Sequence, residues 1–210
     1  MRILVICDDY WHPAAVPREG LAPLANDDMH FDFIEDAADW SAARMSTYPV
    51  VLFTKSNDVS SQDRAEWVDG AVERAFVDFV RQGGGLLAVH SGTAGYSETP
   101  ALRALLGGIF TNHPKQCPVE VQLQDGHPLC QDSTPFTQVD EHYFMELDDQ
   151  QADVFMTTQS EHGTQPGGWI RSEGRGKVCV LSPGHKVEVW LHPSYQALLK
   201  NALLFCAPAQ

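Results

Sequence analysis

Leu86-Leu87-Ala88-Val89 is apolar at every position, follows Gly83-Gly84-Gly85 and runs straight into His90-Ser91-Gly92-Thr93. A strand with one wet face alternates in polarity; a run without alternation suits a strand covered on both faces, as in a parallel sheet packed between helices. Residues 50–54, Val50-Val51-Leu52-Phe53-Thr54, read the same way, and residues 2–7 and 30–35 complete a set of strands, the fourth taken as 86–90. Between the third and fourth strands, Val68, Val72, Ala75, Phe76, Phe79 and Val80 recur at helical spacing. They predict a helix over 62–81, opened by Ser61 as N-cap and stopped by the glycine triplet, with Asp63, Glu66, Asp69, Glu73 and Asp78 on a solvated face. A shorter helix is expected over 100–106. Strands alternating with helices give an α/β fold, a three-layer sandwich whose central sheet is mostly parallel and flanked by helices. Residues 116–139 break into short alternating pieces such as Val119-Glu120-Val121-Gln122-Leu123, which predict an antiparallel excursion on that sheet. A last core strand over 177–181 and a closing helix over 194–205, with Leu198, Leu199, Ala202 and Leu203 inward, complete the reading. With no repeat and no low-complexity linker, 1–210 is expected to be one domain.

Charge narrows the partners. With 28 acidic against 14 basic residues, a formal charge of -14 repels phosphate backbones and anionic lipid, so no nucleic acid and no membrane surface is expected. Neutral or cationic small molecules fit better, sugars among them. No apolar run approaches the roughly 20 residues of a membrane span. The first apolar run is too short for a signal peptide and ends in Asp8-Asp9, so a cytoplasmic protein is expected. Five cysteines without CxxC spacing argue against a disulfide framework or a thiolate metal site. Cys7, Cys179 and Cys206 read as core residues, and Cys117 and Cys130 fall in loop-like sequence. The exposed apolar residues and acidic surface leave room for a homodimer.

In an open α/β sheet, ligands bind beyond the carboxyl ends of the strands, and there this chain offers imidazole. His90 sits where hydrolases with a nucleophile elbow carry Ser or Cys, and Ala88 and Gly92 supply the small residues two before and two after that such a bend needs. Shifting the elbow to Ser91 would put Val89 and Thr93 at those positions, so Ser91 reads as a substrate contact and not as a nucleophile. His185 follows the last core strand through Ser182-Pro183-Gly184, a second exit at the same edge. Glu188 lies three residues beyond it. In Asp140-Glu141-His142-Tyr143 alternate residues share a face, so Glu141 and Tyr143 are expected in the cleft and Asp140 and His142 away from it. His12 follows the first strand beside Trp11, an aromatic face of the kind on which sugar rings pack, and His113 is a further loop candidate. His30 reads as structural, and His127, His162 and His192 are assigned no role.

Together these residues resemble the ThuA-like (trehalose utilisation) family. The carriers are Gly83-Gly84-Gly85 with Val89-His90-Ser91, Gly107-Gly108-Ile109-Phe110 with His113-Pro114, His127-Pro128, Asp140-Glu141-His142-Tyr143, Gly174-Arg175-Gly176-Lys177-Val178 with Gly184-His185, and Glu188-Val189-Trp190. The resemblance spans nearly the whole chain and implies the flavodoxin-like fold of the class I glutamine amidotransferases without their catalytic cysteine. It puts His90 where the nucleophilic cysteine would stand and His185 where the catalytic histidine would stand. The amidotransferase glutamate follows its histidine by two positions, whereas Glu188 follows by three. Glutamine hydrolysis through a thioester needs a thiolate that this elbow lacks. The family further implies a part in the metabolism of trehalose or related disaccharides, including 3-keto sugars.

Two classes of function follow. In the first, the protein is an enzyme of hydrolase, lyase or isomerase type acting on a carbohydrate, with His90, His185 and an acid from Glu141 or Glu188 as catalytic groups. Trp11, His12, Ser91, His113 and Tyr143 would contact substrate. A variant makes the imidazoles ligands of a divalent metal such as zinc, drawn from His90, His185, Glu141 and His12; no HExxH motif exists, so each ligand would come from a separate loop. In the second class the chain is a non-catalytic sugar-binding module or the partner subunit of a sugar oxidoreductase.

Overall fold

A computed structural model describes residues 1–208. The first half lays down β1 (Arg2–Cys7), β2 (His30–Ile34), β3 (Val50–Thr54) and β4 (Gly85–Val89), with helices α1 (Ala15–Leu21), α2 (Ala42–Met45) and α3 (Gly70–Arg81) between them. Then come α4 (Pro100–Leu106), β5 (Gly108–Asn112), β6 (Cys117–Leu123), β7 (Phe136–Asp140), β8 (Phe144–Leu147), β9 (Asp153–Ser160), β10 (Gly163–Glu173) and β11 (Gly176–Leu181). The chain closes with α5 (Val187–Trp190) and α6 (Pro193–Cys206).

Nine strands among the described residues form one sheet in the order β2-β1-β3-β4-β11-β10-β9-β6-β7, and β5 pairs with β8 separately. The large central sheet flanked by helices is the expected class, but its pairing corrects the expectation of a mostly parallel sheet. Strands β2, β1, β3, β4 and β11 pair in parallel, whereas β11, β10, β9, β6 and β7 pair antiparallel, so the two modes share the sheet evenly. The reason is local: Gly174-Arg175 closes a two-residue hairpin between β10 and β11, which leaves no length for a crossover helix. Cys117 also moves, from the expected loop to the buried first position of β6.

Successive residues of the parallel strands feed opposite faces. Ile3, Val5, Leu52, Leu87, Val89 and Cys179 pack under α1, α5 and α6, while Leu4, Ile6, Val51, Phe53, Ala88 and Val180 pack under α2, α3 and α4. Each fully buried aliphatic side chain contributes about 1.5–3 kcal/mol. The glycine before β4 sets how close α6 comes: a Cβ at Gly85 would lie 2.0 Å from the Cys206 carbonyl oxygen.

The helix predicted over 62–81 starts later, at Gly70, because the Asp69 carboxylate accepts the Ala71 and Val72 N–H groups as a true N-cap. Upstream residues are held by other partners: the Ser61 N–H donates to Asp8 and the Val68 N–H to Asn57. Glu73 also departs from the expected wet face. It is buried, and its Oε2 accepts the Ala101 and Leu102 N–H groups at the first turn of α4.

Candidate active site at the strand ends

Strands β1, β3, β4 and β11 run parallel, so the loops that leave their carboxyl ends meet at one edge of the sheet. The turn after β4 is the tightest of them. His90 has φ +46, the left-handed region that costs a non-glycine residue about 1–2 kcal/mol. A Cβ at Gly92 would lie 2.0 Å from the Phe53 carbonyl oxygen, so the bend closes only with glycine there. Thr93 Oγ1 donates to the His90 carbonyl oxygen at 2.8 Å and ties the turn. The His90 side chain is 1% exposed and stacks on Tyr143, with ring centroids 3.8 Å apart. Its Nδ1 is 2.8 Å from the Ser182 carbonyl oxygen. A carbonyl only accepts, so Nδ1 carries the proton and the neutral ring turns the Nε2 lone pair toward Glu141.

His185 reaches the same spot from β11. Asp140 builds its loop by accepting the Gly184 N–H at 2.8 Å and the His185 N–H at 3.1 Å. The Tyr195 hydroxyl donates to the Pro183 carbonyl and the Trp190 indole N–H to the Gly184 carbonyl, which fixes the turn further. His12 comes from β1, oriented by Asp9. One Asp9 oxygen accepts from His12 Nδ1 at 2.7 Å and from the Trp11 and His12 N–H groups, and the other accepts from the Ser56 N–H. His12 Nε2 therefore faces inward, 3.3 Å from the Tyr143 hydroxyl.

Glu141 sits among these rings. Its Oε2 lies 3.2 Å from His185 Nδ1, 3.5 Å from His90 Nε2 and 3.6 Å from His113 Nε2. These separations permit ion pairing, yet neither His90 Nε2 nor His185 Nδ1 makes an aligned hydrogen bond. One donor atom each from His12, His90, Glu141 and His185 lies within 4.8 Å of all the others.

Burial opposes ionisation of Glu141, but the His185 and His90 rings close beside it outweigh burial and hold the carboxyl well below its usual range. His185 shows the counterpart: burial disfavours its cation, and Glu141 reverses the balance and raises it. For His90 burial wins, and the ring is held below its ordinary value despite Glu141. Burial, reinforced by Glu141, keeps the Tyr143 phenol protonated far above its normal range. The floor thus sets the His90 and His12 lone pairs and an ionised carboxylate beside His185 and one phenolic donor.

The floor opens into a cavity of about 570 Å³ walled by Trp11, Asn57, Asp58, Arg64 and Phe110. Trp11 is 60% exposed at the mouth. Arg64 lies in the segment that the late start of α3 leaves free to cross this edge.

Of the residues singled out in the sequence, His12, His90, Glu141, Tyr143 and His185 meet, with His113 at the rim and Trp11 on the wall. Two do not. Ser91 is fully buried, with Oγ turned to Thr54 Oγ1 at 3.5 Å, so it is no substrate contact. Glu188 is exposed on α5 and faces solvent, apart from the cluster, in which the carboxylate is that of Glu141. Asp140, expected away from the cleft, is buried with its carboxylate on the Gly184 and His185 N–H groups and so shapes the His185 loop. Asp9 had no reading at all; its one signal is an acid at a strand end, followed by backbone N–H groups that turn back to it. None of the five cysteines lines the cavity, and burial pushes the Cys7 thiol up to about 12.

Comparison with known proteins agrees with this architecture. No curated protein matches the chain. Among solved structures, a ThuA-like protein from Parabacteroides merdae is 14% identical with a TM-score of 0.76, covering 100% of this chain and 92% of that one. A cytoplasmic protein from Salmonella typhimurium LT2 is also 14% identical, with a TM-score of 0.77 and coverage of 99% and 100%. A β-galactosidase from Rahnella sp. R3 is 16% identical with a TM-score of 0.67, and here 94% of this chain overlays only 30% of the larger one. The profile of the trehalose utilisation family matches residues 2–206. From the strand-end imidazoles to the last helix, the chain belongs to the ThuA (trehalose utilisation) family.

Proposed function

We propose that the chain is an enzyme of carbohydrate metabolism that acts on trehalose, a related disaccharide or a keto sugar at the histidine and glutamate centre. The observation that carries this reading is the convergence of His12, His90 and His185 on Glu141 at the floor of a cavity walled by Trp11. Imidazoles so placed, beside an ionised carboxylate, exchange protons near neutral pH with a sugar hydroxyl, or with a carbon beside a sugar carbonyl. Tyr143, with its proton held, supplies a donor to the same oxygen. The chemistry is enolisation, elimination or hydrolysis, and a thiolate route is closed because His90 occupies the elbow. A cytoplasmic site of action fits a chain in which no helix of the described residues is long and apolar enough to cross a membrane. Purified protein incubated with trehalose and with its 3-keto derivative and followed by NMR is expected to convert one of them. His90→Ala and Glu141→Gln should each slow conversion about a hundredfold or more. Undiminished turnover in both variants removes the centre from the reaction.

A second reading, a sugar-binding module or the partner subunit of an oxidoreductase, draws support from the same fold occupying 30% of a larger β-galactosidase chain. In the same NMR experiment, a ligand that binds and stays unaltered selects that reading.

A further inference from the structure

The donors at the floor of the cavity are arranged for something other than one another. His90 Nδ1 is committed as a donor to the Ser182 carbonyl, and His12 Nδ1 to the Asp9 carboxylate, so both rings aim unprotonated Nε2 atoms inward. His90 Nε2 is buried, has no hydrogen-bond partner and faces an acceptor-only carboxylate 3.5 Å away. His185 Nδ1 is likewise buried without an aligned partner, 3.2 Å from the same oxygen. The buried His90 lone pair turned toward a carboxylate costs free energy unless a positive charge stands beside it.

We propose that His12, His90, His185 and Glu141 form a binding site for one divalent first-row transition-metal cation, zinc by preference. Zinc bonds of about 2.0–2.2 Å in tetrahedral array separate ligand atoms by roughly 3.4 Å, so donors mutually within 4.8 Å close around an ion with side-chain shifts of about 1 Å. Three imidazoles and one carboxylate suit zinc, cobalt, iron or nickel, and the lack of an all-oxygen cage disfavours magnesium and calcium. The surrounding contacts are those that metal-binding histidines use: a carboxylate behind His12 and a backbone carbonyl behind His90 fix each ring's tautomer and direction. The cavity side of the cluster stays open, so a sugar oxygen can join the ion as a fifth ligand, with the Tyr143 hydroxyl and His113 beside it. This deepens the reading of the site but stands on donor geometry, independently of any sugar.

The test uses full-length protein purified without a histidine tag and stripped with chelator. Calorimetric titration with zinc is expected to show one equivalent bound per chain, and cobalt to give the visible bands of a four- or five-coordinate site, while magnesium gives no heat. His90→Ala and Glu141→Gln should each weaken zinc binding tenfold or more, and His127→Ala, on the separate His127–Asp153 pair, should leave it unchanged. Circular dichroism and melting of each variant check that the fold persists; if His90→Ala melts early, Glu141→Gln decides. Absence of stoichiometric zinc uptake by the wild type, or uptake that neither substitution alters, overturns the site. Sugar conversion is scored separately, so failure of one proposal leaves the other standing.

Discussion

Asp9 shows how much a single carboxylate can organise. It accepts from a histidine ring and from three backbone N–H groups drawn from two loops, and so joins the exits of β1 and β3. Asp9→Asn keeps the shape but removes the charge behind His12, and is expected to weaken zinc binding about 10- to 100-fold by calorimetry. The amide nitrogen that then faces one of these N–H groups should lower stability by about 1–3 kcal/mol in a denaturant melt. An unchanged affinity separates Asp9 from the imidazole it touches. At this scale, legibility followed the turn chemistry. His90 and His185 were readable because each ends an apolar run beside small residues, the signature of a strand exit. Glu141 and Tyr143 do share the cleft, although not for the reason of strand alternation, since β7 stops at Asp140 and residues 141–143 are irregular. Ser91 and Glu188 misled because sequence proximity to a site histidine says nothing of side-chain direction. Asp9 was silent because an acid at a strand end looks like surface charge until the backbone that it gathers is seen.

Among the elements, α3 and α4 depend on each other through Glu73. The first N–H groups of any helix lack partners within it, and α4 has no side-chain cap of its own. Glu73 supplies the acceptor from a different helix. Glu73→Ala should therefore cost about 1–3 kcal/mol in a denaturant melt, a large effect for a residue that helical periodicity alone assigns to solvent. A loss within about 0.5 kcal/mol, the range of ordinary surface substitutions, contradicts that role. Periodicity located the core stripe of α3 but not its start, because 62–69 carries helix-like spacing while its backbone N–H groups go to Ser60, Asp63 and Asn57. The inner parallel strands β1, β3 and β4 were legible because burial on both faces leaves an unbroken apolar run. Strands β9 and β10 were not, since their mixed faces resemble loop sequence and only the hairpins between them define their pairing.

The whole molecule is a sheet of two habits, parallel on one side of β11 and antiparallel on the other. His12, His90 and His185 issue from the parallel half, whereas Glu141 follows β7, at the far edge of the antiparallel half. A bound cation would tie the two halves together. Hydrogen exchange should slow across residues 136–143 when zinc is added to stripped protein, more than in β2 at the opposite edge. Equal exchange there with and without the ion would show that Glu141 is not a ligand. The class of fold was legible at this scale; the curl that returns the far edge to the centre was not, because no local pattern encodes it. The separation has a consequence for biosynthesis. The four donors occupy positions 12, 90, 141 and 185 of the chain, so every residue from 12 to 185 must leave the ribosome before they can meet, and no product that ends before residue 185 can acquire the completed centre.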